Sequence, residues 1–315
     1  MGVKINVFAS KSEQRNYRKL CRTWGEDYRI YHNLPFLSIF TPTDLVDMSD
    51  WRNPRPFKLT EREFNRLKKT SVDYTLCDKH DRPILCIEFD GLQQGFNVGA
   101  TYYPNEVIPS LSVWRREITE LKLKVALGSL FPFFVVGSKQ FDDIHPDAKL
   151  TIVDAMIGEV LAWKAAWAEF SKGFDPTEVG YSQEQFDTLP EWEQREIIQD
   201  WVIGVEVIAT MEHSPVARKR AQLQRELGVR SWTEKNLTYP SLDTAKTVEE
   251  RAAMLDNAIL YGSTITLHTD GFEDVEATAW LPNFKVIGYS GMTLSEEVAG
   301  LLAVEKLKRM RANRM

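Results

Sequence analysis

Three carboxylates stand where a β-hairpin would ordinarily carry apolar side chains. Ser71-Val72-Asp73-Tyr74-Thr75-Leu76-Cys77 and Ile84-Leu85-Cys86-Ile87-Glu88-Phe89-Asp90-Gly91 are two apolar-rich runs. Between them lies Asp78-Lys79-His80-Asp81-Arg82-Pro83, a polar turn closed by a proline that ends strand pairing. With Cys77 facing Ile84, antiparallel partners sum to 161 and Asp73 stands opposite Glu88. Side chains alternate with period two, which puts Asp90 on Glu88's face. Like charges opposed on a sheet repel, so the arrangement costs stability unless a cation sits among them. Mg²⁺ (or Mn²⁺) suits that pattern, because it accepts one or two carboxylates and keeps positions for phosphate and water.

The elements that must position these residues follow from the periodicity around them. Residues 12–24 read as a helix with Tyr17, Leu20, Cys21 and Trp24 on one face, and Tyr28 to Phe40 as a strand. Residues 41–58, with Pro42, Pro54 and Pro56, read as a loop, and a short helix from Glu61 to Lys69 leads into the hairpin. Gly91 to Pro109 is a second loop. Leu111, Trp114, Ile118, Leu121 and Val125 recur at helical spacing in an amphipathic helix that stops near Gly128. Leu130-Phe131-Pro132-Phe133-Phe134-Val135-Val136-Gly137 then reads as a buried strand. A helical crossover into a buried strand implies a mixed sheet with a parallel pair, covered by helices on both faces. Residues 1–145 are therefore expected to form an α/β domain.

Residues 146–244 are expected to be helical, over Ala148 to Phe170 and about Ser182 to Leu227. Trp163, Trp167, Trp192 and Trp201 are read as core anchors of helix–helix packing. Residues 245–315 are expected to form a small α+β unit of α-β-β-β-α order. Its strands would be Ile265 and Leu267, Val275 to Trp280, and Phe284 to Tyr289, followed by a closing helix from Leu294 to Met310.

Composition bounds the function. The 315 residues are 43% hydrophobic, with nine Trp and sixteen Phe, enough for a real core. No apolar run is long enough to span a membrane, and Met1 to Phe8 lacks a secretory apolar stretch. Three scattered cysteines point to a reducing compartment, with cytoplasm as the default, and away from a disulfide framework or zinc cluster. Net charge is −6, unevenly spread: residues 1–140 hold 21 Lys/Arg against 16 Asp/Glu, whereas the remainder holds 18 against 29. The half with the carboxylate hairpin is the basic half, which permits contact with a phosphate backbone. The five histidines show no metal-ligand spacing with the cysteines, and Cys77 and Cys86 read as small core residues. There is no P-loop, G-x-S-x-G or G-x-G-x-x-G.

An acid-rich strand pair followed by a lysine-bearing helix resembles the PD-(D/E)XK, or restriction-endonuclease-like, nuclease superfamily. Residues 12–137 look most like its very-short-patch-repair-type branch and a related bacterial domain family of unknown function. The shared pieces are Ser71 to Asp78, Ile87-Glu88-Phe89-Asp90-Gly91, the Lys122 helix running into Leu130 to Val136, and an early helix containing Glu13. The resemblance implies a restriction-endonuclease-like mixed sheet flanked by helices and a metal-dependent nuclease that hydrolyses DNA phosphodiester bonds. It implies Asp73 and Glu88 as the metal-binding pair, Asp90 as a third acidic ligand, and Glu13 as a further site residue. Lys122 would stabilise charge on the phosphate or orient the attacking water.

Two positions depart from the pattern. Asp90 stands where the superfamily usually has its strand lysine, and Gln93 and Gln94 where the resembling branch often has a histidine. Glutamine can position water but cannot act as a general base.

Each residue also has a structural reading. Glu13, three residues after Ser10, fits a helix cap. Asp73 and Glu88 fit an outer hairpin face neutralised by Lys or Arg, Asp90 fits a turn before Gly91, and Lys122 fits a snorkelling helix lysine. Arg218, Lys219, Arg220, Arg225 and the basic residues from Lys306 to Arg314 fit solvated helix faces. The alternatives to a nuclease are a catalytically inactive nuclease-fold module binding nucleic acid or protein, and a structural subunit of a larger assembly. The acidic C-terminal half is a candidate surface for a protein partner. Residues 245–311 resemble a double-stranded-RNA-binding fold in their order of elements. Ser295-Glu296-Glu297 replaces that family's phosphate-contacting lysines, which would repel a duplex and favours a protein contact.

Overall fold

The computed structural model describes residues 8, 10–47, 54–90, 96–97, 101–102, 109–145, 149–239, 241, 245–250, 254, 260–269, 273–282, 286 and 288–313. The first helix, α1 (Lys11–Trp24), starts where the Ser10 hydroxyl accepts the Glu13 amide and turns Leu20 and Trp24 inward. Strand β1 (Arg29–Pro35) follows. The strand expected to reach Phe40 stops at Pro35. A single helical turn, α2 (Phe36–Ile39), folds Phe36 and Phe40 into a ring stack 4.6 Å apart. Proline offers no ladder donor, so the strand ends there.

The expected loop at 41–58 carries a two-stranded ribbon, β2 (Leu45–Asp47) and β3 (Arg55–Phe57), because Leu45 and Phe57 pair and bury against the sheet domain. Helix α3 (Glu61–Leu67), begun by a Thr60–Glu63 capping box, leads into β4 (Ser71–Cys77) and β5 (Pro83–Asp90). A minimal pair, β6 (Phe96–Asn97) and β7 (Thr101–Tyr102), lies in the second expected loop. Gln93 and Gln94 lie outside the described residues. Helix α4 (Pro109–Gly128) then crosses over to β8 (Phe133–Gly137).

These strands form one mixed sheet in the order β1-β4-β5-β8, antiparallel except for the parallel β5–β8 pair. One face, with Ile87, Phe134 and Val136, packs on Leu20 and Trp24 of α1; the other, with Cys86, Phe133 and Val135, packs on Leu121, Val125 and Ala126 of α4. The expected parallel pair and two-sided cover are both present, in an α/β architecture.

Beyond a short 3₁₀ turn lie β9 (Asp143–His145), β10 (Leu150–Thr151), α5 (Ile152–Phe170), α6 (Gln183–Asp187), α7 (Glu191–His213) and α8 (Pro215–Glu226). Asp154 ties α5 to α1. Its Oδ1 accepts the Trp24 indole N–H at 2.9 Å, and its Oδ2 accepts the Thr151 amide and hydroxyl at 2.8 Å each. A second, antiparallel sheet, β11 (Ser231–Tyr239), β12 (Leu260–His268) and β13 (Val275–Pro282), packs on the closing helix α9 (Gly291–Ala312). Buried Trp24, Ile87, Ile157, Val216, Ile265 and Val298 belong to one apolar cluster, so the core runs through all three sequence segments.

Three expectations are corrected. The third strand of the second sheet is β11, before residue 245. The expected strand Phe284 to Tyr289 lies partly outside the described residues, and its described members Val286, Gly288 and Tyr289 are not in a strand. Strand β11 was hidden because Ser231 to Tyr239 is almost wholly exposed and lacks an apolar alternation. The tryptophans are not a common set of core anchors: Trp167 and Trp192 are 61% and 66% exposed, and only Trp201 nestles against Phe170 and Phe174. The α5–α7 seam is lined by Ala162, Ala166 and Ala209, and Trp201 packs beside it against Phe170. Arg220, finally, is no solvated cation, for its guanidinium grips Glu297 through two hydrogen bonds of 3.1 and 2.7 Å.

Candidate active site

The hairpin closes through its own turn. Asp78 Oδ1 accepts the His80 and Arg82 amides at 2.8 and 2.9 Å, and Asp81 takes a left-handed conformation at φ 63°. Cys77 pairs with Pro83, not Ile84, and the register shifts between Leu76 and Cys77. Proline cannot donate to the ladder, and the irregularity absorbs the missing bond. Upstream, Leu76↔Leu85, Thr75↔Cys86 and Tyr74↔Ile87 restore the sum of 161, and the ladder ends there, with Asp73 and Glu88 the next residues on each strand.

Glu88, opposite Val135, lies on the face that packs on α4. The Phe89 amide donates to Asp73 Oδ2 at 2.7 Å. Lys122, expected as a possible snorkelling residue, turns inward instead. Its ammonium donates to Glu88 Oε1 at 2.5 Å and to the Ser71 carbonyl at 2.7 Å, with the side chain only 4% exposed. Neighbouring Leu121 and Val125 bury on the same sheet face and carry the lysine down with them.

The Glu13 amide is capped by the Ser10 hydroxyl, and its carboxylate lies 3.6 Å from His32 Nε2. His32, which had no motif to mark it, sits on β1 opposite Tyr74 and is ringed by Phe8, Tyr17 and Tyr74. Burial pushes its pKa down, against the pull of Glu13. Its signal in the sequence was its strand position beside the carboxylate hairpin.

Burial first, and Glu88 second, push the Asp73 carboxyl well above the usual carboxylate range; the Phe89 amide and Lys122 pull it back, and Glu13 adds a further push. Asp73 and Glu88 thus share a single lysine. Asp90 is buried beside Gly137 on β5, on Glu88's face of the strand. Among the described residues no three His, Cys, Asp or Glu side chains gather closely enough to hold one ion together. The three-carboxylate set reduces in this geometry to the Asp73–Glu88 pair.

That pair fits a divalent cation. Glu88 Oε2 is buried, and no hydrogen-bond partner among the described residues reaches it. Mg²⁺ needs only one or two carboxylates, taking its other donors from water and phosphate. Cys77 and Cys86 are free thiols, both buried and both pushed up by that burial, Cys77 to about 11, so neither offers a thiolate. No protein-family model, curated protein or solved structure matches the chain.

The electrostatics carry a testable sign. A carboxyl whose folded pKa is raised contributes stability at pH below its unfolded value, and this is lost as pH rises through the folded pKa. At neutral pH without metal, Asp73 therefore costs stability. Asp73→Asn keeps an acceptor for the Phe89 amide and removes the charge. Its melting temperature in chelator is expected to rise by a few degrees, on the order of 1 kcal/mol. A lower value would show that the carboxylate is not electrostatically strained.

Proposed function

We propose that the chain is a metal-dependent nuclease of restriction-endonuclease-like fold that hydrolyses phosphodiester bonds in DNA. The observation that carries this reading is the convergence of Asp73 and Glu88 on adjacent strands, with Lys122 between sheet and helix and Glu88 Oε2 buried without a partner among the described residues. The α-β-β-β-α-β order of the N-terminal segment, disregarding the short elements, and its β1-β4-β5-β8 sheet support the fold.

Asp73 and Glu88 would hold Mg²⁺ or Mn²⁺. The ion, when bound, would supply positive charge to the phosphate and lower the pKa of an attacking water. Lys122, fixed by Ser71 and Glu88, would offer its remaining donor capacity to a phosphate oxygen as negative charge grows there. Glu13, held by His32, would orient water at the edge of the pair. The surplus of Lys and Arg in residues 1–140 favours approach of a polyanion.

The test is nicking of supercoiled plasmid with Mg²⁺ or Mn²⁺. Asp73→Ala and Glu88→Ala should each lower the rate about 100-fold or more. No cleavage by the wild type, together with no rise in melting temperature on adding metal, would sink the proposal.

A second reading has one specific observation behind it: Lys122 already neutralises Glu88. A nuclease-fold module that binds DNA without cutting would show a steep salt dependence of binding and no nicking.

A further inference from the structure

Helix α7 is 23 residues long, yet Ala209 is its one fully buried side chain. Trp192, Glu196, Gln199, Ile203 and Val207 are all exposed. They recur at +4, +7, +11 and +15, a single stripe at 3.6 residues per turn, about 22 Å long. Ile203 and Val207 are 49% and 56% exposed, unusual for large aliphatic side chains that line up. On α5, Trp163 and Trp167 each follow a seam alanine by one residue and stack 6.0 Å apart, Trp163 lying against Gly288.

Charge singles out the same region. Residues 152–213 hold 13 Asp/Glu against three Lys/Arg, whereas residues 214–315 are nearly balanced, at 13 against 14. All three cations are engaged. Lys164 turns in to the Ile84 carbonyl, Lys172 pairs with Glu169, and Arg195 pairs with Glu191. The acidity of the C-terminal half is therefore concentrated on the helices that expose the stripe.

A helical stripe that interleaves exposed Trp192, Ile203 and Val207 with Glu196 and Gln199, on acidic helices, fits one kind of occupant. Anionic lipid and nucleic acid are repelled, and a second copy of α7 would set its acids against the first. A helix with an apolar face and basic flanks satisfies both the stripe and the charge. We infer that the outer face of α7 is a docking surface for a basic amphipathic helix of a protein partner.

The test uses the full chain and a synthetic Leu/Lys amphipathic helical peptide of about 18 residues. A scrambled peptide of the same composition and a Leu/Glu peptide of the same periodicity serve as controls, and binding is measured by calorimetry. The Leu/Lys peptide should bind with micromolar Kd and the controls at least tenfold more weakly. Trp192→Ala and the Glu196→Lys, Glu206→Lys double variant should each weaken it about tenfold, with unchanged circular dichroism because all three positions are exposed. Equal binding of the scrambled peptide, indifference to the substitutions, or no binding would overturn the inference. So would sedimentation showing a dimer that Trp192→Ala dissociates, since the stripe would then belong to a second copy.

Discussion

Replacing Lys122 by methionine is expected to lower stability by about 3–5 kcal/mol, the cost of leaving a buried carboxylate without its counter-ion. The asymmetry around the lysine makes this the sensitive partner. Asp73 and Glu88 share one ammonium, and they already repel each other. Glu88→Gln should therefore cost far less than Lys122→Met. The amide still accepts from Lys122, and a charge next to Asp73 is gone. In the double variant much of the Lys122→Met loss should be recovered. Urea unfolding of the four proteins in chelator measures the cycle. A loss below about 1 kcal/mol for Lys122→Met would mean that the pair behaves as a solvated surface bridge. If Asp73 and Glu88 hold a cation, Mg²⁺ should restore part of the stability that Lys122→Met removes.

The second expectation concerns pH. Glu159 on α5 accepts the Ser290 amide at 2.8 Å through Oε1, capping the approach to α9. Burial, with Glu297 nearby, pushes its pKa up to about 8 despite that hydrogen bond. Glu296 is pushed up to about 7 by burial and by Glu234 and Glu297. Arg220 from α8 answers Glu297 and also tempers Glu296. Both carboxyls are raised, so the folded chain holds protons that the unfolded chain releases between the usual carboxylate range and about 8. Their contribution is fully present at low pH and is lost as pH rises through 7 and 8. At roughly 1.4 kcal/mol per pKa unit, the three units from pH 5 to Glu159's value of about 8 amount to a decline of ~4 kcal/mol by pH 9, with a smaller, solvent-screened share from half-exposed Glu296. Glu159→Gln should flatten most of that slope and leave the protein more stable than wild type at pH 9. Parallel pH profiles for the two proteins would show that Glu159 titrates normally.

Much of the N-terminal segment was legible because its signals are local. Alternation marked β4 and β5, and helical spacing from Leu111 to Val125 marked α4. The 161 register rested on Cys77 facing Ile84; that pair is replaced by Cys77 and Pro83, yet the sum holds from Leu76 to Tyr74. What escaped depended on neighbours distant in sequence. Strand β11 has no apolar face to announce it, and it exists because β12 supplies the ladder. The tryptophans looked like core because indoles bury well, but it is alanines that line the α5–α7 seam, as only the pairing of the two helices reveals.

The sequence by itself determined the types of chemistry available: two carboxylates on adjacent strands of a hairpin, a lysine on the crossover helix, and a division into basic and acidic halves. Whether Lys122 points to solvent or to Glu88, whether Asp90 joins the pair, and that His32 meets Glu13 were decided by tertiary structure. The reason is physical. Alternation and helical periodicity fix which face a side chain takes relative to its own element. The partner across that face is set by how helix and sheet pack, through contacts such as Lys122 to Ser71, 51 residues apart.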